Sequence, residues 1–227
     1  RNHRYDLLAR WRAEPADAGA ACELHAAGDA YLAVAPQEGD RWNVNGVVSR
    51  NALRRAGDAE AAYAALLAAH PAVAERIAGG ERRGGIEASD VTPLDTPRAT
   101  ADGALLVGDA ALFLDPFTGQ GIYLALRSAV LAAETAAAVL TSGRTGRTAL
   151  AAYDAARAAE FRDKRRLSRA IQIILYRPWL ARRVVQGLAG DPELSALVAA
   201  ATGDTAPARL ACSPGFGARV GVSAVRR

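Results

Sequence analysis

The chain has 227 residues, 51% of them hydrophobic and 23% charged, with a net charge of +4. This excludes a disordered chain and leaves room for one or two domains around a real core. There is no Met and the first residue is Arg1, so the sequence reads as a piece of a longer product. The charge is uneven. Tyr153 to Arg183 holds nine basic residues against three acidic ones, a local basic helical region rather than a uniformly basic protein, and nucleic-acid binding is not expected. Cys22 and Cys212 lie far apart, without metal-ligand spacing. They read as incidental thiols of a reduced, cytoplasmic protein. No run of about 18 consecutive apolar residues marks a membrane span.

In chain order, residues 22–49 predict an antiparallel meander. Cys22 to Ala26, Ala30 to Ala35 and Arg41 to Val48 are strand-like runs separated by Gly28-Asp29 and by the turn from Pro36 to Asp40. Residues 51–79 change to helical composition, with Asn51 and Asp58 as N-caps and Pro71 in the first turn of a third short helix. Residues 81–103 are polar and rich in Gly and Pro, a linker-like crossing with a strand at Ile86–Val91. Ala104 to Val107 is a four-residue apolar run, read as a buried parallel strand. A long helix then runs from Gly121 to about Thr141, and Gly143 to Gly146 break it. Residues 147–185 are helical with a boundary at Pro178. Asp191-Pro192-Glu193 starts a last helix, and the tail from Thr202 is irregular.

The chemistry concentrates in Val107-Gly108-Asp109-Ala110-Ala111 and Asp115-Pro116-Phe117-Thr118-Gly119-Gln120-Gly121-Ile122. A carboxylate at the carboxyl end of a strand lies where open α/β sheets bind ligands, and it suits a ribose or ribityl diol. Glycines let backbone N–H groups approach a ligand without a Cβ in the way. The N-terminus of the following helix adds unpaired N–H donors and positive dipole, which stabilise a phosphate or developing negative charge.

These two segments resemble the second FAD-binding motif of a large flavoprotein superfamily. It includes geranylgeranyl reductase-like proteins, the FixC type, flavin halogenases and aromatic-ring monooxygenases. The resemblance implies that Asp109 holds the ribose of FAD. It places Gly108, Asp115, Pro116, Thr118, Gly119, Gln120, Gly121 and Ile122 along the pyrophosphate, ribityl chain and flavin ring. Leu112 departs from the pattern, because many relatives have a small residue or His there. The opening from Arg1 to Tyr5, Glu23 to His25 and the Tyr31–Pro36 run resemble the start of the substrate-side sheet, so the likeness spans about Arg1 to Thr148. The dinucleotide fingerprint G-x-G-x-x-G is absent, and Gly215, Gly217 and Gly221 have the wrong spacing for it. The implied fold is α/β with α+β character. It is the C-terminal part of a glutathione-reductase-like FAD-binding fold, with an antiparallel substrate-side sheet and a helical C-terminus. Residues 1–98 would form part of the substrate sheet with short helices, 99–145 the returning strand and helix of the FAD domain, and 146–227 a helical region.

The implied function is an FAD-dependent oxidoreductase, monooxygenase- or reductase-like, acting on a small isoprenoid-like or aromatic substrate. NAD(P)H or a partner reductase would be the electron donor. Halogenation is disfavoured, since it also needs a catalytic lysine and the only one, Lys164, is read as lying away from the motif. The alternative is a non-catalytic helical binding or scaffold protein without flavin. His3, His25 and His70 are scattered and read as structural, although His25 and Tyr31 would face a substrate pocket if the meander lines one. Residues 157–183 could touch a membrane surface. The favoured reading is an amphipathic helix with its basic face in solvent. Catalytic residues and oligomeric state are left open.

Overall fold

The structure, a computed structural model, describes residues 3–14, 21–143 and 146–225. Arg1 and Asn2 of the opening and Arg144 and Thr145 of the helix break lie outside them. The chain divides into two compact units. One is Arg1–Thr92 with Leu175–Pro178; the other is Pro93–Ile174 with Trp179–Arg227.

The first unit is built on an antiparallel sheet of β1 (Arg4–Arg12), β2 (Glu23–Ala27), β3 (Ala30–Pro36), β4 (Arg41–Ser49) and β5 (Glu81–Asp90), in the order β2-β3-β4-β1-β5. The expected meander is β2-β3-β4, joined at Gly28 and Gly39, which both take the positive φ that such turns require. β5 occupies the first part of the segment expected to be a crossing and takes in most of the strand expected at Ile86–Val91. Its residues are largely exposed, so an edge strand carries little of the apolar alternation by which strands are recognised. Its register against β1 shifts between Leu8 and Arg10, opposite Gly84 and Gly85, a bulge at glycine.

Three helices pack on one face of this sheet: α1 (Arg50–Ala56), α2 (Ala59–Ala68) and α3 (Pro71–Arg76). Leu7, Ala9, Leu32, Val34, Trp42, Val44 and Val48 meet Ala62, Tyr63, Leu66, Val73 and Ile77 there. Gly46 is required by this packing, since a Cβ would sit 2.1 Å from Leu66 Cδ2. The Tyr63 hydroxyl donates to the Val44 carbonyl at 3.1 Å. Asp58 caps α2 as expected, whereas α1 is capped by Ser49 rather than Asn51. Ser49 is the last strand residue, and its extended backbone lets the hydroxyl reach Ala52 N.

The second unit holds short antiparallel pairs of β6 (Leu94–Asp95) with β9 (Leu112–Phe113) and of β7 (Thr100–Ala101) with β8 (Ala104–Leu105). Its helices are α4 (Gly121–Ser142), α5 (Arg147–Glu160), α6 (Arg162–Leu175), α7 (Pro178–Ala189), α8 (Pro192–Thr202) and α9 (Pro214–Val225). Leu175 and Pro178, at helix ends, fall in the first unit. Asp191 caps α8 through Leu194 N, as its sequence dictates. The tail is more ordered than expected: Ser213 accepts from Phe216 N at the head of α9, and its three glycines disguise the helical pattern. By length and composition, α4 is long and apolar enough to cross a membrane. It carries Arg127, ion-paired to Glu160 at 2.9 Å, and Ser128, buried against Gly108.

Candidate functional site

Two turns and a helix start form the site. The apolar run expected as a buried parallel strand instead forms only the two-residue antiparallel β8, and Leu106 and Val107 are 42% and 39% exposed. Its composition suits a strand covered on both faces, and the described residues supply no neighbouring parallel strand to cover it. Gly108 follows at φ 58°, opening a 3-10 turn over Gly108–Ala110. Its N–H donates to the Ser128 hydroxyl at 2.9 Å, and a Cβ would lie 3.3 Å from Ala125 Cβ. The turn thus rests on α4 one to two helical turns from its start. Asp109, next in the chain, is exposed.

Asp115 is buried and opens a second 3-10 turn, Pro116–Thr118. Its carboxylate accepts from Phe117 N at 3.0 Å and its carbonyl from the Thr118 hydroxyl at 3.3 Å. Gly119 closes that turn in the left-handed region at φ 65°. α4 then begins after Gln120, which makes no side-chain cap, and its first turn has no acidic residue. A Cβ at Gly119 or Gly121 would meet nothing within 4 Å, and Gly119, Gly121 and Ile122 are exposed. Open backbone and uncapped N–H groups together make a place where an anionic or electron-rich group can come against the main chain. The residues present therefore fit the flavin end of FAD; when bound, FAD supplies the two-electron redox chemistry.

Gln120 behaves differently from its neighbours in the motif. Its side chain is 3% exposed, Nε2 donates to the Thr202 carbonyl at 3.3 Å, and Oε1 is buried without a partner. It ties the start of α4 to the end of α8. Leu112, the departure from the family pattern, is a core residue packed with Leu124 and Phe161.

The scaffold behind the turn was not legible in the sequence. Arg157, 2% exposed, donates to the carbonyls of Ala111, at 3.0 Å, and Thr96. Tyr153 donates to the Leu106 carbonyl at 2.7 Å, and burial raises its phenol above the usual range. Asp154 accepts from Ala99 N and the Thr100 hydroxyl, each at 2.7 Å. These three residues of α5 hold the main chain on both sides of Asp109. The signal available was their i, i+1, i+4 spacing, hidden within a segment read as a basic helix.

That reading also needs correcting. Arg157 and Lys164 are buried rather than facing solvent. Lys164 donates to the Ala201 carbonyl at 2.8 Å, pairs with Asp204, and lies 5.3 Å from the Tyr123 ring centroid in the first turn of α4. It is beside the motif helix, not away from it. Carbonyls at the end of α8 attract a cation, which sequence spacing alone does not reveal. His25 pairs with Leu32 and so lies on the helix-covered side of the sheet, hydrogen-bonded to Glu23 at 2.9 Å. Tyr31 lies on the other face.

The family pattern described as FAD binding domain matches residues 8–165. The chain belongs to that family. Its cofactor is FAD, and the superfamily recognised in the motif, the FAD-dependent oxidoreductases, is the one the comparisons return. A curated relative, digeranylgeranylglycerophospholipid reductase 2 of Methanothermobacter thermautotrophicus, is 39% identical over 101 residues, 44% of this chain and 23% of that protein. A geranylgeranyl bacteriochlorophyll reductase-like structure from Thermoplasma acidophilum superposes with a TM-score of 0.64 at 20% identity, covering 87% of this chain and 47% of that one. The flavin-dependent halogenase CmlS gives a TM-score of 0.64 at 24% identity, covering 73% and 31%. The chain therefore spans less than half the length of each of these proteins. The fold is a partial FAD-binding fold of mixed helix and sheet.

Proposed function

We propose that this chain is part of an FAD-dependent oxidoreductase, reductase- or monooxygenase-like, that acts on a small, isoprenoid-like or aromatic organic substrate in the cytoplasm. The observation that carries the reading is the open, uncapped start of α4 behind Gly119 and Gly121, in a chain of the FAD binding domain family. In this reading Asp109 binds the ribose diol. Gly108, Asp115, Pro116 and Thr118 shape the two turns, and Gly119, Gln120, Gly121 and Ile122 form the flavin end. NAD(P)H or a partner reductase supplies the electrons. The finer architecture is the second half of a glutathione-reductase-like FAD domain, with residues 1–98 on the substrate side and 146–227 as a helical appendage.

The exposed apolar residues support this architecture. Ile122, Leu126 and Val130 recur at four-residue spacing along α4, and Leu106 and Val107 precede the turn. Such a stripe fits a surface onto which the other half of an FAD domain packs. The reductase type draws support from the name of the relative that is 39% identical.

The test is flavin content of the full-length gene product and its Asp109→Ala variant, read by visible absorbance after gel filtration. Loss of a charge-assisted hydrogen bond predicts at least a ten-fold drop in FAD affinity for the variant. Equal flavin content in both proteins sinks the site assignment, and a colourless full-length protein favours the non-catalytic alternative.

A further inference from the structure

Of the 28 basic residues in the chain, Lys164 is the only lysine, and it is buried at 7% exposure. The groups that hold its ammonium all lie in the second unit. It donates to the Ala201 carbonyl at 2.8 Å, pairs with Asp204 and lies 5.3 Å from the Tyr123 ring centroid. A compact point charge suits a carbonyl, a carboxylate and a ring set around one spot, whereas a planar guanidinium asks for a flat, forked partner.

Two helix ends of opposite sign meet here. Ala201 and Thr202 close α8, so their carbonyls stand at its negative end, and Asp204 adds a full negative charge two residues on. Among the described residues Asp204 is the one non-glycine residue with positive φ, 63°. Backbone of that kind costs energy and persists where its surroundings fix it. Gln120, immediately before α4, donates to the Thr202 carbonyl, which brings this negative end against the uncapped, positive start of α4. Left unbalanced, Asp204 and the end of α8 would oppose the potential of that start.

The other charges nearby are engaged or solvated. Tyr123, Glu160, Asp163, Lys164, Asp204 and Arg209 line part of a cavity of about 320 Å³. Glu160 pairs with Arg127 at 2.9 Å and Asp163 with Arg166 at 3.5 Å. Arg209 is exposed to solvent, where salt screens its charge. Lys164 is thus the buried cation that balances Asp204 and the end of α8.

We infer that Lys164 is a positioning residue for the start of α4. It holds the end of α8 in place and balances its charge, so that the open N–H groups behind Gly119 and Gly121 keep their positive potential toward an anionic or electron-rich group. That this group is the flavin rests on the function proposed above; the electrostatic role does not.

The test is a thiol placed at the start of α4 in the full chain without flavin. Ile122 is 77% exposed in the first turn. Ile122→Cys in a Cys22→Ser/Cys212→Ser background gives a single reporter, and both native thiols are exposed. The pH dependence of its alkylation by iodoacetamide reads the thiol pKa. Lys164→Met leaves the negative groups unbalanced and should cut the thiolate fraction at neutral pH about three-fold, and Asp204→Asn should raise it about three-fold. Lys164→Met/Asp204→Asn should return to the parent value, since the net charge is restored. A lysine that only supports the fold predicts equal shifts in its single and double variants. Equal shifts in those two, or no change in Asp204→Asn, overturns the inference, and the Asp204→Asn arm decides by itself if Lys164→Met does not fold. In the full-length gene product the same charge variants, without the cysteine changes, test the link to FAD. The flavin reduction potential should fall in Lys164→Met, rise in Asp204→Asn and recover in the double variant, because the reduced flavin carries more negative charge. A thiol that follows the charges while the full-length protein holds no flavin, or holds it with an unmoved potential, keeps this role for Lys164 and loses the flavin assignment. A thiol that ignores the charges while the protein holds flavin loses this inference alone.

Discussion

The sheet of the first unit buries Leu7, Leu32, Val34 and Val44 under Tyr63, Leu66 and Val73, whereas the Asp109 turn of the second unit hangs on Arg157, Tyr153 and Ser128. In the sheet unit the energy comes from apolar area and is spread over a dozen side chains. In the site unit a few directional bonds to main-chain carbonyls and one N–H fix the turn, while apolar Leu106, Val107, Ile122 and Leu126 stay exposed. The difference teaches where each unit is vulnerable. Loss of volume should damage the first, and loss of one donor should displace the second.

Leu66→Ala should have the largest effect, about 3 kcal/mol, because a buried leucine is removed and its cavity is walled by a sheet that cannot collapse. Hydrogen exchange should show the loss on β3 and β4 amides, with protection around Thr96 and Ala111 kept. Equal loss in both regions would mean the two units unfold together and would break the comparison. Arg157→Met comes next, at about 2 kcal/mol, since the Thr96 and Ala111 carbonyls lose a charged donor while much of the packing volume is kept. Here the exchange pattern should reverse, with Thr96 to Ala111 opening and β3 and β4 protected. FAD affinity of the full-length protein should fall as well.

How much of this was legible depends on which physical signal each region carries. The meander, the Asp58 and Asp191 caps and the α4 start follow from local rules of turn, cap and periodicity, and the structure has them. Of β5 only the part from Ile86 was expected, and its first half, Glu81 to Gly85, escaped because an exposed edge strand needs no apolar face. α9 escaped because Gly215, Gly217 and Gly221 obscure a helix held by its contacts. The motif residues could be named from their pattern, but the clamp from Tyr153, Asp154 and Arg157 could not, because its partners lie 46 or more residues away. The sequence shows Asn43 and Asn45 only as alternate positions of one strand, and the register puts them on the same face as Asp6.

Asp6 gives the smallest effect and probes the second face of the sheet directly. Its folded carboxyl sits at about 6 against an ordinary 3.8, because burial disfavours the charge. The groups facing it are Val47 on β4, Ser89 on β5 and, along the strand, Arg4 and Leu8, with Arg10 and Glu87 paired further on. Well below the ordinary value of 3.8 the carboxyl is neutral in both folded and unfolded chains. Between pH 4 and 6 the unfolded chain ionises first, so stability falls as pH rises, and the fall is complete above the folded value. Asp6→Asn removes this dependence. The variant should match the parent near pH 3.5 and exceed it by about 1 kcal/mol at pH 8, a figure reduced for the partial solvent exposure of the group. Urea unfolding at the two pH values measures it. A pH-independent difference would mean that Asp6 is already well solvated, and the second face of the sheet would then be as open as any surface strand.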